Sequence, residues 1–173
     1  MGHHYLYNFV LILVSLTTLI APLQAQDPGV IVDASQVIAE VSPYAYGSNL
    51  GPFALPIDLF DEAKTSGITF LRFPHGEWGD QNNLSHFNID LFIQMANLIG
   101  AEPSIALRIK NGSPEVAAEI VHYTNIEKEY GVQYWYIGNE PNLFGEEYTT
   151  EIHNQEWRTI ATAILEVDPT ITL

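Results

Sequence analysis

A chain of 173 residues with 47% apolar and 12% aromatic content has the material for one ordinary domain with a sizeable core, which excludes an intrinsically disordered chain. Its formal net charge of -15, from 21 acidic against 6 basic residues, makes nucleic acid and anionic membrane surfaces poor partners and neutral sugars better ones. With no cysteine there is neither a disulfide framework nor a lipid-modified cysteine, so stability rests on packing.

Residues 1–25 carry no Asp, Glu, Lys or Arg, and the run from Phe9 to Ala21 is too short to span a bilayer but suits the apolar region of a signal peptide. Pro22 and the small Ala25 predict cleavage before Gln26, hence a secreted, extracellular or periplasmic product that is off the membrane once cleaved. His3 and His4 replace the usual positive charge, and a retained anchor is the alternative. Asn83-Leu84-Ser85 and Asn111-Gly112-Ser113 match the glycosylation acceptor pattern, which matters only in a eukaryotic secretory route.

Residues 26–43 read as N-terminal strands, Ile31 to Asp33 and Val37 to Val41, with a β-sandwich outside these residues as their expected partner. Tyr44 to Leu50 reads as a strand ending in a Gly-Ser-Asn-Leu-Gly-Pro turn. From there helix and strand alternate. Pro56 to Ser66 places Leu59, Phe60 and Ala63 on one helical face and stops at Gly67. Ile68 to Phe73 is the next strand, followed by a long loop. Asn88 to Ile99 carries Ile89, Phe92, Ile93, Ala96 and Ile99 at helical spacing, with Asn88 as N-cap and Gly100 as terminator.

Pro103 to Ile109 returns as a strand. Ser113-Pro114-Glu115 supplies a cap, a first-position proline and an early acid for a helix that buries Ala117, Ile120, Val121 and Thr124 and ends by Gly131. Val132 to Gly138 is an apolar run bounded by turn residues, the pattern of a strand covered on both faces. It delivers Asn139 and Glu140 to its end, and Pro141 biases Glu140 away from the α region, so an extended Glu140 is expected. Thr149 to Val167 is a helix presenting His153, Trp157, Ile160, Ala161 and Ile164 inward, and Thr170 to Leu173 opens another strand.

Residues 44–173 therefore hold four βα units of about thirty residues each, close to the βαβ scale. Such alternation builds either a doubly wound sheet or a closed barrel, and eight units need about 250 residues. No Gly-x-Gly-x-x-Gly or phosphate-loop pattern follows a strand, which removes the usual reason to prefer a dinucleotide-binding sheet, and no cofactor is expected.

In parallel α/β folds the active site forms at the C-terminal ends of the strands. Here those ends are polar: Asn49 after the first strand; Arg72, His75, Glu77, Trp78, Asp80, Asn82 and Asn83 on and after the second; Arg108, Lys110 and Asn111 after the third; Asn139, Glu140 and Asn142 after the fourth. Three of only six basic residues fall in this set.

Trp135-Tyr136-Ile137-Gly138-Asn139-Glu140-Pro141 resembles the fourth-strand signature of clan A glycoside hydrolases, retaining (β/α)8 enzymes whose acid/base is the Glu of an Asn-Glu pair. Leu71-Arg72-Phe73-Pro74-His75-Gly76 resembles the second-strand motif of the same clan, closest to the α-L-arabinofuranosidase-like and endoglucanase-like branches, and Asn111 to Ala117 is similar to a turn and helix start of the former. The resemblance covers about Tyr44 to Leu173. It implies an α/β fold, the N-terminal half of a (β/α)8 TIM barrel cut at strand five. It also implies an oligo- or polysaccharide substrate, Glu140 as general acid/base, Asn139 as donor to a sugar 2-hydroxyl and Arg72 as the cation supporting the nucleophile.

That nucleophile is expected at the end of strand seven, outside these residues, so the 173 residues alone are expected not to catalyse. Asn49, Glu77 and Trp78 complete the expected substrate contacts, with Trp78 as a stacking face. Where relatives show a second glycine after the proline this chain has His75, which narrows that position. Two other readings compete. His75, Glu77, Asp80 and His86 are potential metal ligands but share no compact spacing, so no metal is expected. A half-barrel that keeps the pocket without the chemistry would be a non-catalytic sugar-binding or partner-dependent protein.

Overall fold

The computed structural model describes residues 29–30, 32–52 and 57–173. The leader expected over residues 1–25 and Ile31 lie outside the described residues. The chain divides into two units at Glu40. In the first, the described residues are exposed, and a turn at Asp33 is closed by Ser35, whose N–H and hydroxyl both donate to the Asp33 carboxylate. The strand expected over Val37 to Val41 does not form: these residues are exposed coil. Their apolar side chains mimic a strand pattern, but no described neighbour supplies the ladder hydrogen bonds a strand requires.

The second unit, Val41–Leu173, is the folded α/β body. Its strands are β1 (Gly47–Asn49), β2 (Phe70–Phe73), β3 (Glu102–Leu107) and β4 (Tyr134–Ile137). They form one parallel sheet in the order β1-β2-β3-β4, with Asn49 opposite Arg72, Arg72 opposite Ser104 and Ser104 opposite Tyr134. A doubly wound sheet reverses its strand order at a switch point, whereas a barrel winds its strands in sequence. The order here is the barrel's. Thr172 adds a parallel bridge to Tyr134, with Trp135 N–H donating to the Thr172 carbonyl at 2.9 Å, so the winding continues into a fifth strand.

Helices cover one face: α1 (Phe60–Thr65), α2 (Gly76–Gln81), α3 (His86–Ile99), α4 (Pro114–Val121) and α5 (Thr150–Val167). Leu71, Phe73, Ile105, Leu107, Trp135 and Ile137 meet them in a core that includes Ile89, Phe92, Val121, Ile160 and Ile164. Alternation along β2 and β4 turns Phe70, Arg72, Tyr134 and Tyr136 to the other face. At its N-terminal end Tyr44, Phe70 and Tyr134 touch pairwise, centroids 5.4–5.6 Å apart.

Several local expectations are corrected. Ser85, not Asn88, caps α3; Asn88 is the third helical residue and reaches back to Ser85 N–H, completing a capping box. The start of α1 is a 3-10 turn, Ile57–Leu59, and Leu59 faces solvent. α4 loosens into a π-helical stretch, His122–Glu127, which keeps Thr124 buried with its hydroxyl donating to the Ile120 carbonyl at 2.7 Å. The expected long loop after β2 contains α2, a helix of six residues. Gly79 permits it, because a Cβ there would stand 3.2 Å from the Pro74 ring.

Candidate active site

At the C-terminal end of β4 the backbone turns sharply. Gly138 has φ +81°, and a Cβ there would lie 2.5 Å from Ile109 Cγ2, so only glycine fits the contact with the end of β3. Glu140 has φ +35° and ψ +56°, a left-handed residue rather than the extended one expected from Pro141. The proline disfavours the right-handed α region for its predecessor, and the chain meets that bias on the opposite side of the map. Pro141–Leu143 then forms a 3-10 turn whose Leu143 N–H donates to the Glu140 carbonyl at 2.9 Å.

This turn opens Glu140 onto a small cleft of about 220 Å³, lined among others by Glu77, Asp80, Lys110, Asn139 and Phe144. Glu140 is exposed, whereas Trp135, five residues earlier, is in the core with its indole N–H donating to the Val132 carbonyl. Asn139 is oriented by its neighbours. Arg72 Nη2 donates to Asn139 Oδ1 at 3.1 Å, and since a guanidinium can only donate, the amide nitrogen is left as the donor, 3.4 Å from Glu140 Oε2. Arg72 also lies 4.9 Å from the Tyr136 ring centroid, and its buried Nε has no partner among the described residues.

Asp80 is the buried acid of the site, 2% exposed. Its Oδ1 accepts the Asn139 backbone N–H at 2.9 Å. Burial pushes its carboxyl from 3.8 up to about 6, against the opposing pull of that N–H and of Arg72, while the nearby charges of Glu140 and Glu77 add to the rise. Lys110 donates to the Phe144 carbonyl at 3.2 Å and sits over the Phe144 ring. Behind Phe144, the Tyr148 hydroxyl donates to Glu156 at 2.6 Å; burial and that bond raise the phenol well above its usual value.

The structure thus brings Arg72, Asn139, Glu140 and Glu77 to one end of the sheet. Glu77, on α2, lines the cleft and accepts from Gln81 at 2.6 Å. Asn49 pairs with Arg72 in register and is exposed at the end of β1. Trp78 is half-buried against the core and is not part of the cleft lining. Arg108 turns away, donating to the Lys110 carbonyl at 2.8 Å and lining a separate cleft with Asn83. His75 is exposed, with its ring beside Gly51.

Among the described residues no group of three or more His, Asp or Glu side chains is placed to hold a metal ion. His86, weighed as a ligand, contacts Glu119 at 2.6 Å and stacks on Tyr123. The burial of Asp80 has little signal in the sequence beyond the small Gly79 and the Trp78 that precede it.

No protein-family sequence profile matches the chain, and no curated protein matches it. Solved structures do match. One is an arabinofuranosidase, with a TM-score of 0.63 at 21% identity over 82% of this chain and 42% of its own. This is a partial (β/α)8 barrel. A family 51 α-L-arabinofuranosidase from Bifidobacterium longum gives 0.65 at 18% identity, over 78% of this chain and 38% of its own. Another from Thermotoga petrophila RKU-1 gives 0.54 at 20%, over 75% and 39%. The partial barrel spans about two fifths of the length of these structures. The likeness implied by the Asn-Glu-Pro and Arg-Phe-Pro stretches is therefore found at the level of fold. The Glu140 cleft occupies the barrel's C-terminal face, where (β/α)8 enzymes carry their active sites.

Proposed function

We propose that this chain carries the acid/base half of a retaining O-glycoside hydrolase acting on neutral, plant-type or other polysaccharides, with Glu140 as general acid and then general base. The observation that carries the reading is the single turn that presents Glu140 to the cleft and fixes Asn139 with its amide nitrogen as donor. A retaining enzyme needs a carboxyl to protonate the leaving oxygen and, as carboxylate, to activate water, with a second carboxylate ~5 Å away as nucleophile. Arg72 keeps Nε for such a carboxylate, and Asn139 Nδ2 is available for a sugar 2-hydroxyl. The nucleophile is assigned to a seventh strand, whereas these residues supply four strands and the first bridge of a fifth. The uncharged leader-like residues 1–25 extend the proposal to an exported enzyme.

In the full natural chain, Glu140→Gln is expected to lower kcat on glycosides with poor leaving groups by about 10²–10⁴, the usual worth of a positioned acid, with little change in sugar affinity. Unchanged hydrolysis contradicts the assignment. Sugar binding without hydrolysis in the unaltered full chain favours the non-catalytic alternative.

A further inference from the structure

We propose that Asp80 is the positioning residue of this site: its carboxylate, carried by the short helix α2, clamps the Asn139 N–H and thereby sets the left-handed turn that aims Glu140 into the cleft. The importance of Glu140 rests on the preceding proposal; the clamp itself does not. Three observations converge on it. Asp80 is 2% exposed in a helix whose remaining acid, Glu77, is in solvent, so its placement inward is a property of the packing and not of composition. Its Oδ1 accepts the backbone N–H of Asn139 at 2.9 Å, a direct bond to the residue that follows Gly138 in the turn. Asn139 immediately precedes Glu140, whose φ of +35° is disfavoured for a residue with a Cβ and persists only where its surroundings hold it.

Asp80 lines the cleft but is buried where Glu140 is exposed, and it acts through the backbone. The groups facing it are Arg72 from β2, Glu77 from its own helix, Glu140 from the turn and Tyr148 from the segment before α5. Lys110 lines the same cleft. Burial is the main cause that holds the carboxyl up at about 6, opposed by the Asn139 N–H and Arg72 and helped by Glu140 and Glu77. The clamp is accordingly adjustable: ionised Asp80 makes a charge-assisted bond to Asn139, about twice the strength of the neutral one, and a proton on Asp80 loosens the turn.

The test follows the Asn139 amide of this chain by proton–nitrogen NMR from pH 4 to 8, without substrate. The amide proton is expected to move in a step centred near pH 6. Asp80→Asn should abolish that step while leaving the rest of the spectrum folded, and Glu140→Gln should move its midpoint down, because the charge that raises Asp80 has been removed. A step absent from the unaltered chain, or surviving in Asp80→Asn, overturns the clamp. If Asp80→Asn does not fold, the comparison with Glu140→Gln decides, and an unmoved midpoint overturns it. Hydrolysis enters separately: loss of activity in Glu140→Gln with no step at Asn139 leaves the catalytic reading standing and removes this one, and the reverse pattern removes only the catalytic reading.

Discussion

Asp80 and Glu140 share one cleft and differ in surroundings: one is buried against β4, the other is in solvent. The consequence for stability has a definite sign. Asp80 is raised from 3.8 to about 6, so between those values the folded chain binds more protons than the unfolded one, and stability falls as pH rises through that window. At about 1.4 kcal/mol per unit, the loss amounts to as much as about 3 kcal/mol. Asp80→Asn keeps an acceptor for Asn139 N–H and removes the ionisation. Its unfolding free energy relative to the unaltered chain should therefore rise by up to that amount between about pH 4 and pH 7, as read by urea denaturation. A difference that stays constant across this range contradicts the burial cost assigned to Asp80.

Among the elements, the β4-to-turn junction is the most constrained. Gly138→Ala combines a left-handed residue, worth about 1–2 kcal/mol, with a Cβ 2.5 Å from Ile109 Cγ2. It should lower the unfolding free energy read by urea denaturation by at least that first cost and perturb the Asn139 amide; a neutral substitution would show that the junction can relax. Elements with a strong period were legible from sequence. Ser113-Pro114 and Thr149 start their helices as expected, and the apolar run through Trp135 is a strand. What escaped has physical reasons. Gly76, Gly79 and two acids make α2 look like a loop, because the bond from Asn139 N–H to Asp80 that ties it to the end of β4 is tertiary. The π stretch follows no 3.6-residue period. Val37 to Val41 shows the opposite failure, apolar residues with β-propensity but no partner strand.

At the scale of the whole molecule, a sheet wound in sequence order with helices on one face gathers residues 67 positions apart, Arg72 and Asn139, at one end. The polar residues at the strand ends were readable as a set, and so was the resemblance carried by Asn139, Glu140 and Arg72. Which of them share a cleft was not readable, because Arg108 and Trp78 turn aside for reasons of packing that lie outside the strand pattern. Lys110 is the single basic residue among those lining the Glu140 cleft, in a chain whose formal net charge is -15. The central claim, that Glu140 is the acid/base of a retaining enzyme, is tested most directly by azide rescue of Glu140→Ala in the full natural chain, using an aryl glycoside with a good leaving group. Azide then replaces the water that Glu140 would activate and attacks the glycosyl-enzyme intermediate, so the account predicts restored turnover and a glycosyl azide of retained configuration. A glycosyl azide of inverted configuration would instead make Glu140 the nucleophile, and an Ala variant that turns over as fast as the unaltered chain without azide would remove it from the chemistry.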